Sequence, residues 1–267
     1  MSIRMGLLLI GVAGLSPAAH AGSFLRSAEE LSYSTALGYD WATRQWDEQG
    51  HLQSTDCRRQ HASNSHHVEY GYSYYYTLFG GLSLAQATCA GESTTGLGDL
   101  RLGVRGRTDV YVNNRAWELV ATVPTNRGSP SPRLGCGAFG LSGALARKDE
   151  LLPGLALSSG LGLQLWESPL APQLDGGLGL SGPLRLGTSR MRWSFDVDGR
   201  VPLDDGAAVA SDISDCGTRG KLVKAGLGVG VSLSRWTYAS CSFSSAVWGD
   251  DATMRQGFSC GYSRTWE

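Results

Sequence analysis

The sequence predicts an all-β protein, an antiparallel transmembrane β-barrel of about twelve strands. Three observations predict it. The chain opens on an export signal. No later segment is long and apolar enough to cross a membrane as a helix. The rest of the chain is a series of roughly ten-residue stretches in which apolar residues alternate with small or polar ones. Only helices and closed barrels satisfy every backbone hydrogen bond inside lipid. An exported, alternating chain without spanning helices therefore points to a barrel in a bacterial outer membrane.

The signal comes first. Arg4 supplies its positive end, Met5 to Leu15 its short apolar stretch, and Ala19-His20-Ala21 a small-residue cleavage pattern. The chain thus divides into a signal peptide, 1–21, and a barrel, 22–267. No cysteine follows the cleavage point, which argues against a lipoprotein. Loss of Arg4 takes the formal net charge from −1 to −2, which argues against nucleic acid as a partner. The 37 glycines suit curved strands and close backbone approach, and the 8 tryptophans and 10 tyrosines suit membrane–water interfaces.

The strands are expected at 32–44, 66–77, 82–90, 97–107, 115–124, 136–147, 153–166, 173–182, 189–202, 220–234, 236–248 and 253–266. The clearest alternation places Met191, Trp193, Phe195, Val197, Gly199 and Val201 on one face and Arg192, Ser194, Asp196, Asp198 and Arg200 on the other. Val223 to Leu233, Leu100 to Val104 and Val68 to Tyr76 repeat it. With both ends of the chain in the periplasm, short and long connections should alternate. Phe79-Gly80-Gly81 and Ser234-Arg235 read as tight turns. The polar stretches 45–65, 125–135 and 203–219 read as outer loops. The last strand sets Phe258, Cys260, Tyr262, Arg264 and Trp266 on one face, which resembles the terminal signal read by barrel assembly machinery. Glu267 after it and Arg264 within it depart from that pattern.

In such a barrel the face away from lipid lines the lumen, where charge is tolerated. Glu69, Asp99, Arg101, Arg105, Glu118, Arg192, Asp196, Asp198 and Arg200 fall on that face. Two readings stay open: ion pairs that brace a narrow barrel, or a pore whose charges touch a polar or charged solute. Strand number does not decide between them.

Nothing in the chain reads as an enzyme. Gly226-x-Gly228-x-Gly230 lies inside a strand pattern and lacks the dinucleotide spacing. No nucleophile elbow or zinc-protease motif occurs. His51, Asp56, Cys57, His61, His66 and His67 crowd the first polar stretch without a zinc spacing. No catalytic residue, cofactor or metal is expected.

The six cysteines, Cys57, Cys89, Cys136, Cys216, Cys241 and Cys260, suggest disulfides in an exported chain. A last hairpin turning at Asp250-Asp251 sets Cys241 opposite Cys260. Two lipid-facing thiols are the alternative. Of the remaining connectivities, Cys57–Cys89 with Cys136–Cys216 needs the least chain reach.

The stretch Gly96-Leu97-Gly98-Asp99-Leu100-Arg101-Leu102-Gly103-Val104-Arg105, with Val123-Pro124-Thr125 after it, resembles an outer-membrane transporter-like family. That family is associated with a MetA pathway of phenol degradation. The region before it, with Glu69-Tyr70-Gly71, is similar to a branch found beside biofilm exopolysaccharide genes. The resemblance spans about residues 20–125, and the loop cysteines depart from it. It implies an outer-membrane channel or export accessory and supplies no catalytic residues.

The expected function is passage of small or polymeric polar or aromatic solutes, or support of such export. Outer-membrane lipid and a small-molecule or polysaccharide solute are the expected partners. The alternatives are a non-conducting structural or adhesion barrel with a plugged lumen, a lipid-modifying enzyme, and a soluble periplasmic sandwich.

Overall fold

The computed structural model describes residues 25–108, 114–125, 134–167, 170–186, 189–204 and 220–266. The signal peptide expected at 1–21, Cys216 and Glu267 lie outside the described residues, as do most of the stretches 125–135 and 203–219.

The described chain is strand throughout, joined by turns and short loops. The strands are β1 (Leu31–Trp46), β2 (Leu52–Gly71), β3 (Tyr76–Cys89), β4 (Glu92–Leu97), β5 (Leu100–Arg107), β6 (Arg115–Val123) and β7 (Gly140–Leu152). They continue as β8 (Leu155–Trp166), β9 (Gln173–Leu186), β10 (Ser189–Pro202), β11 (Lys221–Ser232), β12 (Thr237–Asp250) and β13 (Ala252–Trp266). Every pairing is antiparallel. β1 pairs with β13 as well as β2, which closes the sheet. Both β4 and β5 pair with β3, one above the other. They are two halves of one stave broken at Gly98-Asp99, so the barrel has twelve staves.

Closure pairs every strand on both sides except β4, which pairs with β3 alone and whose Leu97 carbonyl is taken by the Thr125 hydroxyl. The alternation expected from the sequence holds around the wall. On β6, Ala116, Glu118 and Val120 are buried inside while Leu119 is exposed outside. The outward face is a leucine and valine band, including Leu37, Leu102, Leu119, Leu161, Leu178, Leu227 and Val229. Rings flank it at both ends. Tyr70, Tyr72, Tyr74, Tyr76, Trp117 and Trp266 lie toward the end that holds both chain termini, with the Tyr76 and Trp117 rings 6.1 Å apart. Tyr39, Trp41, Phe243 and Phe258 form a ring cluster toward the other end. An apolar band between aromatic girdles is the surface a barrel needs to sit in a bilayer.

Four expectations are corrected. The stretch 45–65 is not a loop: the chain turns at Asp47–His51 and returns as β2 from Leu52. Its upper half is polar because it extends past the ring cluster. Phe79-Gly80-Gly81 is not a turn but lies within β3, and the reversal is at 72–75. There Gly81 gives room to the His67 ring from β2. β7 starts at Gly140 rather than 136, and the strand expected at 97–107 starts at Glu92 and is interrupted. Ser234-Arg235 is a turn as expected, and the last hairpin reverses at Asp251 with φ +48°.

Cys241 and Cys260 face each other in β12 and β13 and form a disulfide on the outward face. Cys57 and Cys89 form a second, tying the upper half of β2 to the top of β3. The pairing expected for Cys136 involves Cys216 and falls outside the described residues.

Candidate functional site

The chemistry of the barrel lies on its inward face, and the sheet register puts it in order. On one side, β2, β3, β5 and β6 carry long charged side chains at matching heights. Thr77 faces Arg105, and Arg105 faces Glu118. The Arg105 guanidinium forks between two carboxylates: Nη2 to Glu118 Oε2 at 2.9 Å and Nη1 to Glu69 Oε1 at 3.3 Å. Its Nε donates a further bond to Glu118 Oε2 at 3.0 Å. Arg105 and Glu118 are each 3% exposed. The planar fork of arginine suits such a double contact, which a lysine could not make. Arg101, two inward positions up beyond Gly103, is in electrostatic reach of Glu118 and Asp99.

The segment before β1 completes this group. Arg26 Nε bonds Glu69 Oε2, and its Nη1 lies 3.2 Å from Glu30 Oε1. The Arg26 backbone N–H donates to Thr77 Oγ1 at 2.9 Å, and the Glu29 N–H to the Gly71 carbonyl at 2.7 Å. The segment thus folds into the mouth at the end where the termini lie. Gly71 permits this, since a Cβ there would run into the Ser27 carbonyl. Gly71→Ala is expected to release the segment. Trypsin should then cut after Arg26 in the folded variant and spare the parent, read by intact mass; equal resistance would refute the docking role.

A second ion pair sits between β9 and β10. Arg200 Nε meets Asp175 Oδ1 at 2.8 Å, and Gln164 Nε2 donates to Asp175 Oδ2 at 2.6 Å. Asp175 is 1% exposed. Neither Arg26 nor Asp175 was among the expected site residues. Asp175 had a signal: Leu174 and Leu178 face outward, which puts Asp175 on the inner face. Arg26 precedes the first strand, so no alternation could place it.

Asp196 and Asp198 lie inward on β10, beside Gly226 and Lys224 of β11. Arg192 is near the terminus-bearing end, where Nη2 donates to the Gly154 carbonyl at 3.4 Å. Asp99 occupies the break between β4 and β5, where Oδ2 accepts the Cys136 N–H at 2.6 Å. The nine residues are therefore not one cluster. Glu69, Arg101, Arg105 and Glu118 form one group, Arg200 belongs to another, and the rest are spread.

The wall from β10 through β13 to β2 is different. Its inward positions include Ser194, Gly228, Ser242, Ser259, Gly38 and Ser63, which succeed one another across six strands in register. Four side chains there lie flat on neighbouring glycines. Asp196 covers Gly226, Asp198 covers Gly177, Asp40 covers Gly257 and Tyr238 covers Gly230. A glycine leaves a dimple one methyl deep, so these groups lie along the wall and not across the lumen.

The crowded histidines separate by strand parity. His61 Nδ1 is 3.4 Å from Asp40 Oδ2 inside, and His67 Nε2 is 3.3 Å from Glu69 Oε1 inside. His66 faces outward, 2.7 Å from the Tyr33 hydroxyl, and His51 sits exposed on the β1–β2 turn. Among the described residues no three His, Cys, Asp or Glu side chains gather as a metal site would require.

No family model matches the chain, and no curated protein matches it. Solved structures do. An outer-membrane channel from Pseudomonas putida F1 is similar at 13% identity, covering 91% of this chain and 97% of that one, with a TM-score of 0.72. The fold is that of outer-membrane β-barrels. The translocator domain of the autotransporter NalP from Neisseria meningitidis is also similar, at 13% identity, 90% and 89% coverage and a TM-score of 0.53. The β domain of the Bordetella autotransporter BrkA gives 15% identity, 87% and 98% coverage and a TM-score of 0.54.

Proposed function

We propose that the protein is a channel in the bacterial outer membrane for small polar solutes. The glycine- and serine-covered wall from β10 to β2 carries this reading. It offers hydroxyls and backbone to a passing solute, and Asp40, Asp196, Asp198 and Tyr238 are laid flat on it. Among its described residues Tyr238 lies flat on Gly230, and Trp46 is buried against Leu222 and Ala246 at the opposite end. The charge group around Arg105 then braces the opposite side, and solute passes beside it. The likeness to an outer-membrane channel supports the reading.

A non-conducting structural barrel is the second reading. The docking of Arg26 inside one mouth favours it.

Single-channel recording of the refolded chain in planar bilayers, with vesicle swelling in polyols and sugars, separates the two. Stable steps and swelling that falls with solute size support the channel. Silence from folded, heat-modifiable protein overturns it in favour of the structural barrel.

A further inference from the structure

The strongest unexplained feature is the break at Gly98-Asp99, deep in a wall that is otherwise continuous. There, residues 82 and 83 of β3 face 98, 99 and 100, a bulge of one residue. Bulges re-aim a side chain, and this one aims Asp99 at the connection between β6 and β7. Asp99 Oδ2 accepts the Cys136 N–H at 2.6 Å. Gly135 lies directly against the same carboxylate, so close that any Cβ would collide with it. Gly137 comes next but one with φ +64°, a backbone state that favours glycine.

The neighbours show where this segment goes. Leu134 packs against Ala85 and Ala87, which are 4% and 0% exposed on the inward face of β3. The segment is therefore inside the barrel. The start of the same connection returns to the same bulge, since the Thr125 hydroxyl bonds the Leu97 and Gly98 carbonyls at 3.0 and 2.9 Å. Its end is tied across to the β8–β9 connection by the Glu167 N–H donating to the Phe139 carbonyl at 2.8 Å.

We infer that Leu134–Ala138 is the constriction of the lumen at the mouth opposite the termini, and that Asp99 is the positioning residue that holds it there. This rests on the channel reading. The Asp99 carboxylate is engaged by the segment and does not meet solute. Its effect on selectivity is exerted through the segment it fixes, since pore diameter and lining groups set what passes.

The test compares single-channel conductance and the size cut-off for sugar-driven vesicle swelling in the parent, D99A, D99N, G135A and L134S. Heat-modifiable mobility selects folded protein. G135A attacks the contact from the segment side, and L134S frees the segment without touching Asp99. D99A, G135A and L134S are each expected to raise conductance roughly twofold or more and to admit larger sugars. D99N keeps an acceptor oxygen for the Cys136 N–H and should stay near the parent. If the parent conducts and the folded variants match it in conductance and cut-off, the constriction is refuted and the channel stands. If the parent is silent and the variants conduct, the segment is the closing element of the lumen and the inference stands, while the channel reading of the parent falls. If all are silent, both fall.

Discussion

Arg105→Ala is expected to cost the barrel roughly 3–5 kcal/mol, the usual cost of removing one partner from a buried ion pair. The guanidinium is 3% exposed and separates two carboxylates, Glu69 and Glu118, that have no water to turn to. Without it, Glu118 loses both of the bonds it accepts from that side chain, and like charges face each other across the gap. Arg26 still neutralises Glu69, so the loss should concentrate on Glu118. The double variant R105A/E118A should recover much of the deficit, because it removes the orphaned charge along with its partner. Arg105→Lys should not recover it, since a single ammonium cannot span both acids. Urea titration of the folded form in micelles or vesicles measures this. A change of under about 1 kcal/mol, the range typical of exposed pairs, would mean that the group is hydrated and braces nothing.

Leu119→Arg carries the second large effect. Leu119 is outward at the centre of β6 and pairs with Val104 and Gly143. If this surface faces lipid, a charge there should cost about 2–4 kcal/mol, whereas the same change near a membrane interface should cost about 0–1 kcal/mol. Leu151→Arg, outward at the end of β7 by the terminus-bearing mouth, supplies the comparison. Urea titration in phospholipid vesicles should separate the two variants clearly. If both are neutral, the leucine band faces water, and a soluble sandwich becomes the better account of the chain.

Period-two alternation made the barrel legible because lipid favours apolar residues at outward positions, whatever lies behind them. That constraint ends where lipid ends. Leu52 to Arg59 extends beyond the ring cluster, which is level with Gln60 and Ala62, so its polar residues carry no alternation, and a strand reads as a loop. Gly80-Gly81 misled for a related reason. Glycine pairs usually mark turns, but Gly81 sits in mid-strand to make room for His67. The Cys241–Cys260 pairing was readable because a hairpin turn fixes register by arithmetic. The inward docking of Leu134 was not, because nothing in a loop sequence states which side of a wall it packs on. Likewise, face parity placed Asp99 among inward charges but could not show that a bulge would commit its carboxylate to a backbone N–H.

The dimples under Asp40, Asp196, Asp198 and Tyr238 make the bore of this barrel unusually easy to retune. Each depends on one hydrogen atom standing where a methyl group would otherwise be. A single-nucleotide change from a glycine to an alanine codon would lift the overlying carboxylate or phenol off the wall and swing it toward the axis. No apolar contact with lipid would be disturbed. The width and charge of the lumen can thus be varied one small step at a time, on a scaffold whose outer surface stays as it is.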